Sequence, residues 1–105
     1  MQVLFDQGTP VPLRLYLPSH KVTTVFEKGW SRFKNGDLLR LAESEGFEVF
    51  VTTDQNLKYQ QNLSARALAI VVLSTTSWPI IQKQTGRVLN VIDTLAHGGY
   101  IELQF

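Results

Sequence analysis

With 105 residues, a formal charge of +1 and no cysteine, the chain has the length of one domain and lacks the charge excess of a dedicated nucleic-acid binder. Absent cysteine excludes disulfides, thiolate catalysis and Cys-ligated zinc, and a balance of 44% apolar to 18% charged residues is that of a globular domain. The longest apolar run, Ala67 to Leu73, is too short to cross a bilayer, and the first residues lack the basic start of a signal peptide. A single domain over residues 1–105, cytoplasmic and with no membrane attachment, is expected.

In chain order, Val3-Leu4-Phe5 reads as a buried strand ending at Asp6. Thr9 then offers an N-cap and Pro10 a first helical position, with Leu13, Tyr16 and Leu17 on one helix face and Pro18 as the stop. Residues 21–26 are rich in β-branched side chains and predict a second strand. Residues 27–36 predict an irregular loop, and residues 37–45 a short helix closed by Gly46, with Leu38, Leu41 and Ala42 as its buried stripe.

Residues 47–52 predict the third strand, soon followed by Asp54, and residues 55–62 one or two helical turns. The run 68–73 has the continuous apolarity of a strand covered on both faces. Ser77-Trp78-Pro79 opens what reads as the longest helix, with Ile81, Thr85, Val88, Ile92 and Leu95 on one side and Gly98-Gly99 at its end. Residues 100–105 predict a last strand. This alternation predicts an α/β fold with a mostly parallel five-stranded sheet between helices on both faces.

In open parallel sheets, sites form beyond the carboxyl ends of strands where strand order reverses. Asp6 and Asp54 both follow strand ends, and if those strands are neighbours their carboxylates share that crevice. Asp37 begins the helix leading into the third strand and can reach the same rim. Converging carboxylates repel, and oxygen ligands of this kind select Mg²⁺ or Mn²⁺. Helix capping explains Asp37 or Asp54 taken singly; Asp6, with Thr9 already available as cap, is the stronger functional candidate.

Other features carry less. His20 and His97 show no metal-ligand spacing and read as surface or capping residues, and Asp93 as ordinary surface. Ser74 to Ser77 lack a GxSxG elbow, and no phosphate-cradling glycine motif occurs. The loop 28–34 interleaves Lys28, Arg32 and Lys34 with Trp30 and Phe33, a pattern that suits stacked bases; packing of Trp30 onto the core is the preferred reading. Lys58 and Arg66 read as solvated surface, with substrate phosphates as the alternative.

The segments Leu4-Phe5-Asp6-Gln7, Gly36-Asp37-Leu38-Leu39-Arg40-Leu41-Ala42 and Gly46-Phe47-Glu48-Val49-Phe50-Val51-Thr52-Thr53-Asp54-Gln55-Asn56-Leu57 resemble the PIN-like nuclease superfamily, in particular its short, uncharacterised bacterial group. The stretch from Lys58 through Leu63 into the Ala69–Leu73 run is similar to the same group. The resemblance implies a three-layer α/β/α sandwich and Mg²⁺ or Mn²⁺ held by Asp6, Asp37 and Asp54 as metal-binding and catalytic residues. It implies cleavage of a phosphodiester, usually in RNA, and often a toxin neutralised by an antitoxin-like chain. The chain lacks the Glu that fuller members carry on a helical insertion, has Gln7 where short relatives often have an acid, and has Thr53 where a basic residue often stands. One ion then suits the chain better than two, with Gln7, Asn56 or Gln60 as neutral oxygen donors.

Two other readings stand beside the nuclease. A receiver-like signalling domain would use Asp54 as phospho-acceptor and Ser74 or Thr75 as the hydroxyl after the fourth strand, but it lacks the acidic pair at Asp6 and a lysine after the last strand. A catalytically silent module would bind an antitoxin-like chain or a second copy of itself through the long last helix or the loop around Trp30.

Overall fold

In the computed structural model, which describes residues 1–60, 62–63 and 66–105, five strands form one sheet in the order β2-β1-β3-β4-β5. They are β1 (Gln2–Phe5), β2 (Lys21–Thr24), β3 (Val49–Thr52), β4 (Ala69–Leu73) and β5 (Tyr100–Leu103). Every pairing is parallel, so the sheet is more uniform than the mostly parallel one expected. The helices are α1 (Asn35–Ser44), α2 (Leu57–Gln60), α3 (Trp78–Ile81) and α4 (Thr85–Thr94), with a 3₁₀ turn over Val11–Tyr16 in the first crossover.

Strand side chains alternate between faces, and that period sorts the core in two. Val3, Phe5, Val49, Val51, Val71 and Leu73 pack on one face against Leu13 and Leu17 of the first crossover and Ile81, Val88 and Ile92 of the last. Leu4, Phe50, Ile70 and Val72 pack on the other against Leu38, Leu39 and Ala42 of α1 and Leu57 of α2. Both faces are thus covered by helices, the α/β arrangement expected and one compatible with a three-layer sandwich.

Several local expectations are corrected. Thr9 does not cap a helix: its buried hydroxyl donates to the Val51 carbonyl at 3.1 Å, pinning the crossover to β3. Pro10 takes the cap position, and the prolines around a short segment leave a 3₁₀ turn in which Tyr16 lies exposed, its ring 5.7 Å from that of Trp78. β2 stops at Thr24, β3 begins at Val49 and β5 ends at Leu103, each shorter than predicted. In α1, Leu39 rather than Leu41 completes the buried stripe. Residues 55–62 are helical at Leu57–Gln60; Gln61 lies outside the described residues.

The predicted long helix is broken. A 3₁₀ turn over Gln82–Gln84 separates α3 from α4, and Gln84 leaves the helical region at φ −135° and ψ 30°. Gln82, Lys83 and Gln84 include no buried residue to hold α geometry, and Thr85-Gly86 are weak helix formers. Among the described residues no helix is long and apolar enough to cross a membrane.

Candidate functional site

Strand order reverses at β1: the chain leaves it for β2 on one side and returns to place β3 on the other. Phe5 of β1 is in register with Val51 of β3, so the next residues, Asp6 and Thr52, emerge level with each other. They also share the face of the sheet that carries α1 and α2. The Thr52 hydroxyl, fully buried, donates to Asp6 Oδ2 at 2.7 Å and accepts from the Asp54 amide at 3.1 Å. One side chain in the middle therefore ties together the two aspartates predicted at strand ends.

Asp54 is held from both sides. Its Oδ1 accepts from the Asn56 amide at 2.9 Å, a local turn bond of the capping kind, and its Oδ2 accepts from Asn35 Nδ2 at 2.9 Å. Asn35, the first residue of α1, also donates to Gln60 Oε1 at 3.3 Å. Asp6 Oδ1 accepts from the Gln7 amide at 2.9 Å. Burial raises the Asp6 carboxyl above its ordinary value; the Thr52 and Gln7 bonds work against that rise and the Asp54 charge adds to it.

This donor set suits one hard divalent cation. Each of the aspartate oxygens accepts one hydrogen bond from the groups just named, and a carboxylate oxygen has a further lone pair. One or two carboxylates are the usual protein contribution to Mg²⁺, which keeps several waters. A three-carboxylate set is a different matter: no group of three or more acidic or histidine residues suited to a metal occurs among the described residues. Asp37 is exposed and ion-paired with Arg40. Residues two apart on a helix face different ways, so with Asn35 turned to Asp54, Asp37 is turned away.

The other candidates are engaged elsewhere. Lys58 Nζ lies 3.0 Å from Glu102 Oε2, which also accepts from the Tyr100 hydroxyl at 2.8 Å. Those bonds, Lys58 first, hold the Glu102 carboxyl below its usual range, while burial and then the Glu102 bond push the Tyr100 hydroxyl up. Arg66 pairs with Glu43 at 2.7 Å and is a half-buried tie between α1 and the loop before β4, not solvated surface. Trp30 packs edge-on against Phe47, with Lys28 over its ring, the core-packing role preferred for it. Ser74 Oγ accepts from the Phe105 amide and Thr75 Oγ1 from the Ser77 amide.

His20 departs from the surface role expected. Its side chain is only 6% exposed, with Nε2 at 2.6 Å from Asp93 Oδ1 and Nδ1 at 3.2 Å from the Met1 amine, so it joins the start of β2 to α4. Asp93 is accordingly a partner, not idle surface; His97 is exposed. Thr52 and Asn35 are the site residues that sequence reasoning missed. Thr52 had a signal, a hydroxyl at the end of an apolar strand; Asn35, in a loop-like stretch, had none.

A cleft of about 470 Å³ opens beside Asp6, between the ends of β1 and β2 and the first crossover. No known protein family, curated protein or solved structure matches the chain.

Proposed function

We propose that the chain is a PIN-like, metal-dependent phosphodiesterase acting on RNA, with Asp6 and Asp54 as ligands of one Mg²⁺ or Mn²⁺. The observation that carries this reading is the Asp6–Thr52–Asp54 constellation at the switch point of an all-parallel sheet. An ion bound there would supply an ionisable water near neutral pH and positive charge against the phosphate. The chain's residues do the rest. Thr52 fixes the Asp6 carboxylate relative to the Asp54 backbone, and Asn35 fixes the Asp54 carboxylate. Asp6 must be ionised to hold the ion, so its raised pKa moves the loss of binding on acidification to higher pH. The resemblance adds a toxin's role, with an antitoxin-like chain as partner.

The test is a calorimetric Mn²⁺ titration paired with cleavage of single-stranded RNA. Asp54→Asn abolishes ion binding and cleavage with the circular dichroism spectrum unchanged, whereas Asp37→Asn leaves binding intact. Wild type that takes up no Mn²⁺, with or without a non-cleavable oligonucleotide, overturns the reading.

A second reading, a catalytically silent partner-binding module, is favoured by one observation. Lys58 and Arg66, the cations read as candidates for substrate phosphates, are paired with Glu102 and Glu43, and Arg14, which lines the cleft with Asp6, is paired with Glu27. Metal binding without cleavage of RNA would select it.

A further inference from the structure

The cleft beside Asp6 has a chemistry unlike that of the carboxylate pair. Its base is apolar, from Phe5 and Val25, and its walls include exposed Val11 and Phe26, the latter 78% exposed. One side is polar and rigid. Arg14 donates from Nη1 to Glu27 Oε2 at 3.1 Å and from Nη2 to Oε1 at 2.8 Å, a bidentate pair. Glu27 is itself fixed, since its Oε1 accepts from the Thr24 amide and its own amide donates to the Thr24 hydroxyl. The guanidinium charge is therefore cancelled within the cleft.

We infer that this cleft receives the nucleoside next to the scissile phosphate of a single-stranded RNA, with the base stacked on Phe26 and its edge against the Arg14–Glu27 pair. The inference rests on the nuclease reading and deepens it. Asp6 lines the cleft and also belongs to the carboxylate pair, so a strand whose phosphate meets the ion runs its neighbouring residue into the cleft. The volume lies in the range of small-ligand sites. A neutralised polar wall with an exposed aromatic ring suits an uncharged, flat ring with hydrogen-bonding edges better than it suits a phosphate. Stacking of this kind tolerates any base. Binding of a nucleoside here is accordingly insensitive to salt, unlike binding through phosphates.

The experiment titrates wild type and Phe26→Ala with uridine and adenosine in the absence of metal, following backbone amide shifts, and then measures RNA cleavage with Mn²⁺. Phe26 is exposed, so its replacement leaves the fold intact. Saturable shifts at Thr24, Val25 and Phe26 are expected, unchanged by added salt, with affinity about tenfold weaker in Phe26→Ala. The variant then raises KM while kcat stays close to wild type. Absence of saturable shifts, or equal affinity in the variant, overturns the inference. The two readings fail separately: nucleoside binding without RNA cleavage retires the nuclease and keeps the cleft, whereas cleavage with a KM indifferent to Phe26→Ala retires the cleft and keeps the nuclease.

Discussion

Asp6 is the residue at which stability and chemistry oppose each other. Its carboxyl is buried enough to sit above the ordinary value despite two hydrogen bonds, so the native state holds that proton more tightly than the unfolded chain does. A raised carboxylate pKa stabilises the fold when protonated; that contribution is lost as pH rises from the ordinary value through the raised one, and the cost persists at neutral pH. Asp6→Asn carries no such titration. In urea denaturation with chelator present, wild type therefore loses stability relative to Asp6→Asn as pH rises from acid to neutral, and a difference moving the other way would contradict the burial account. Thr52 limits the cost, because its hydroxyl satisfies Asp6 and the Asp54 amide at once.

At the scale of elements, the turn after β1 is tightly constrained. Gly8 has φ +89°, and a Cβ there would stand 2.8 Å from Thr53 Oγ1, in the loop that carries Asp54. Gly46, which ends α1, has φ +85° but open space around it. Gly46→Ala should thus cost only the left-handed backbone penalty, about 1–2 kcal/mol. Gly8→Ala should cost more, because the Thr53 side chain must also move, and the urea midpoints of the two variants check the order. Equal losses would mean that the close approach at Gly8 carries no energy. The elements also show which patterns are readable. Strand positions were legible because buried parallel strands need continuous apolar runs, whereas the break at Gln82–Gln84 was not, since the apolar spacing from Ile81 to Val88 is the same with or without it.

The whole molecule sets where the carboxylates meet. Asp6 and Asp54 lie 48 positions apart in sequence and are joined only because β1 and β3 are neighbours in register. An ion bound by the native pair and not by the unfolded chain stabilises the fold by mass action, about 2.7 kcal/mol at a hundredfold excess over Kd. For a domain of this length that is a rise in Tm of about 10 °C or more. Thermal melts with and without Mn²⁺ should show the rise in wild type and not in Asp54→Asn; a rise of equal size in the variant would place the ion elsewhere.

What the sequence by itself determined is the α/β class, the parallel strands and two aspartates at strand ends, because these follow from local periodicity and from punctuation by proline, glycine and aspartate. Tertiary structure alone decided which strands are adjacent, and with that the sharing of Thr52 between Asp6 and Asp54. It also decided the facing of α1, which turns Asn35 to the site and leaves Asp37 with Arg40. The same holds for His20, whose burial depends on α4 supplying Asp93 from 73 residues away. The physical reason is common to all three: helical and strand periods are properties of neighbouring residues, but strand order and the rotation of a helix on a sheet are settled by long-range packing, which no local pattern encodes.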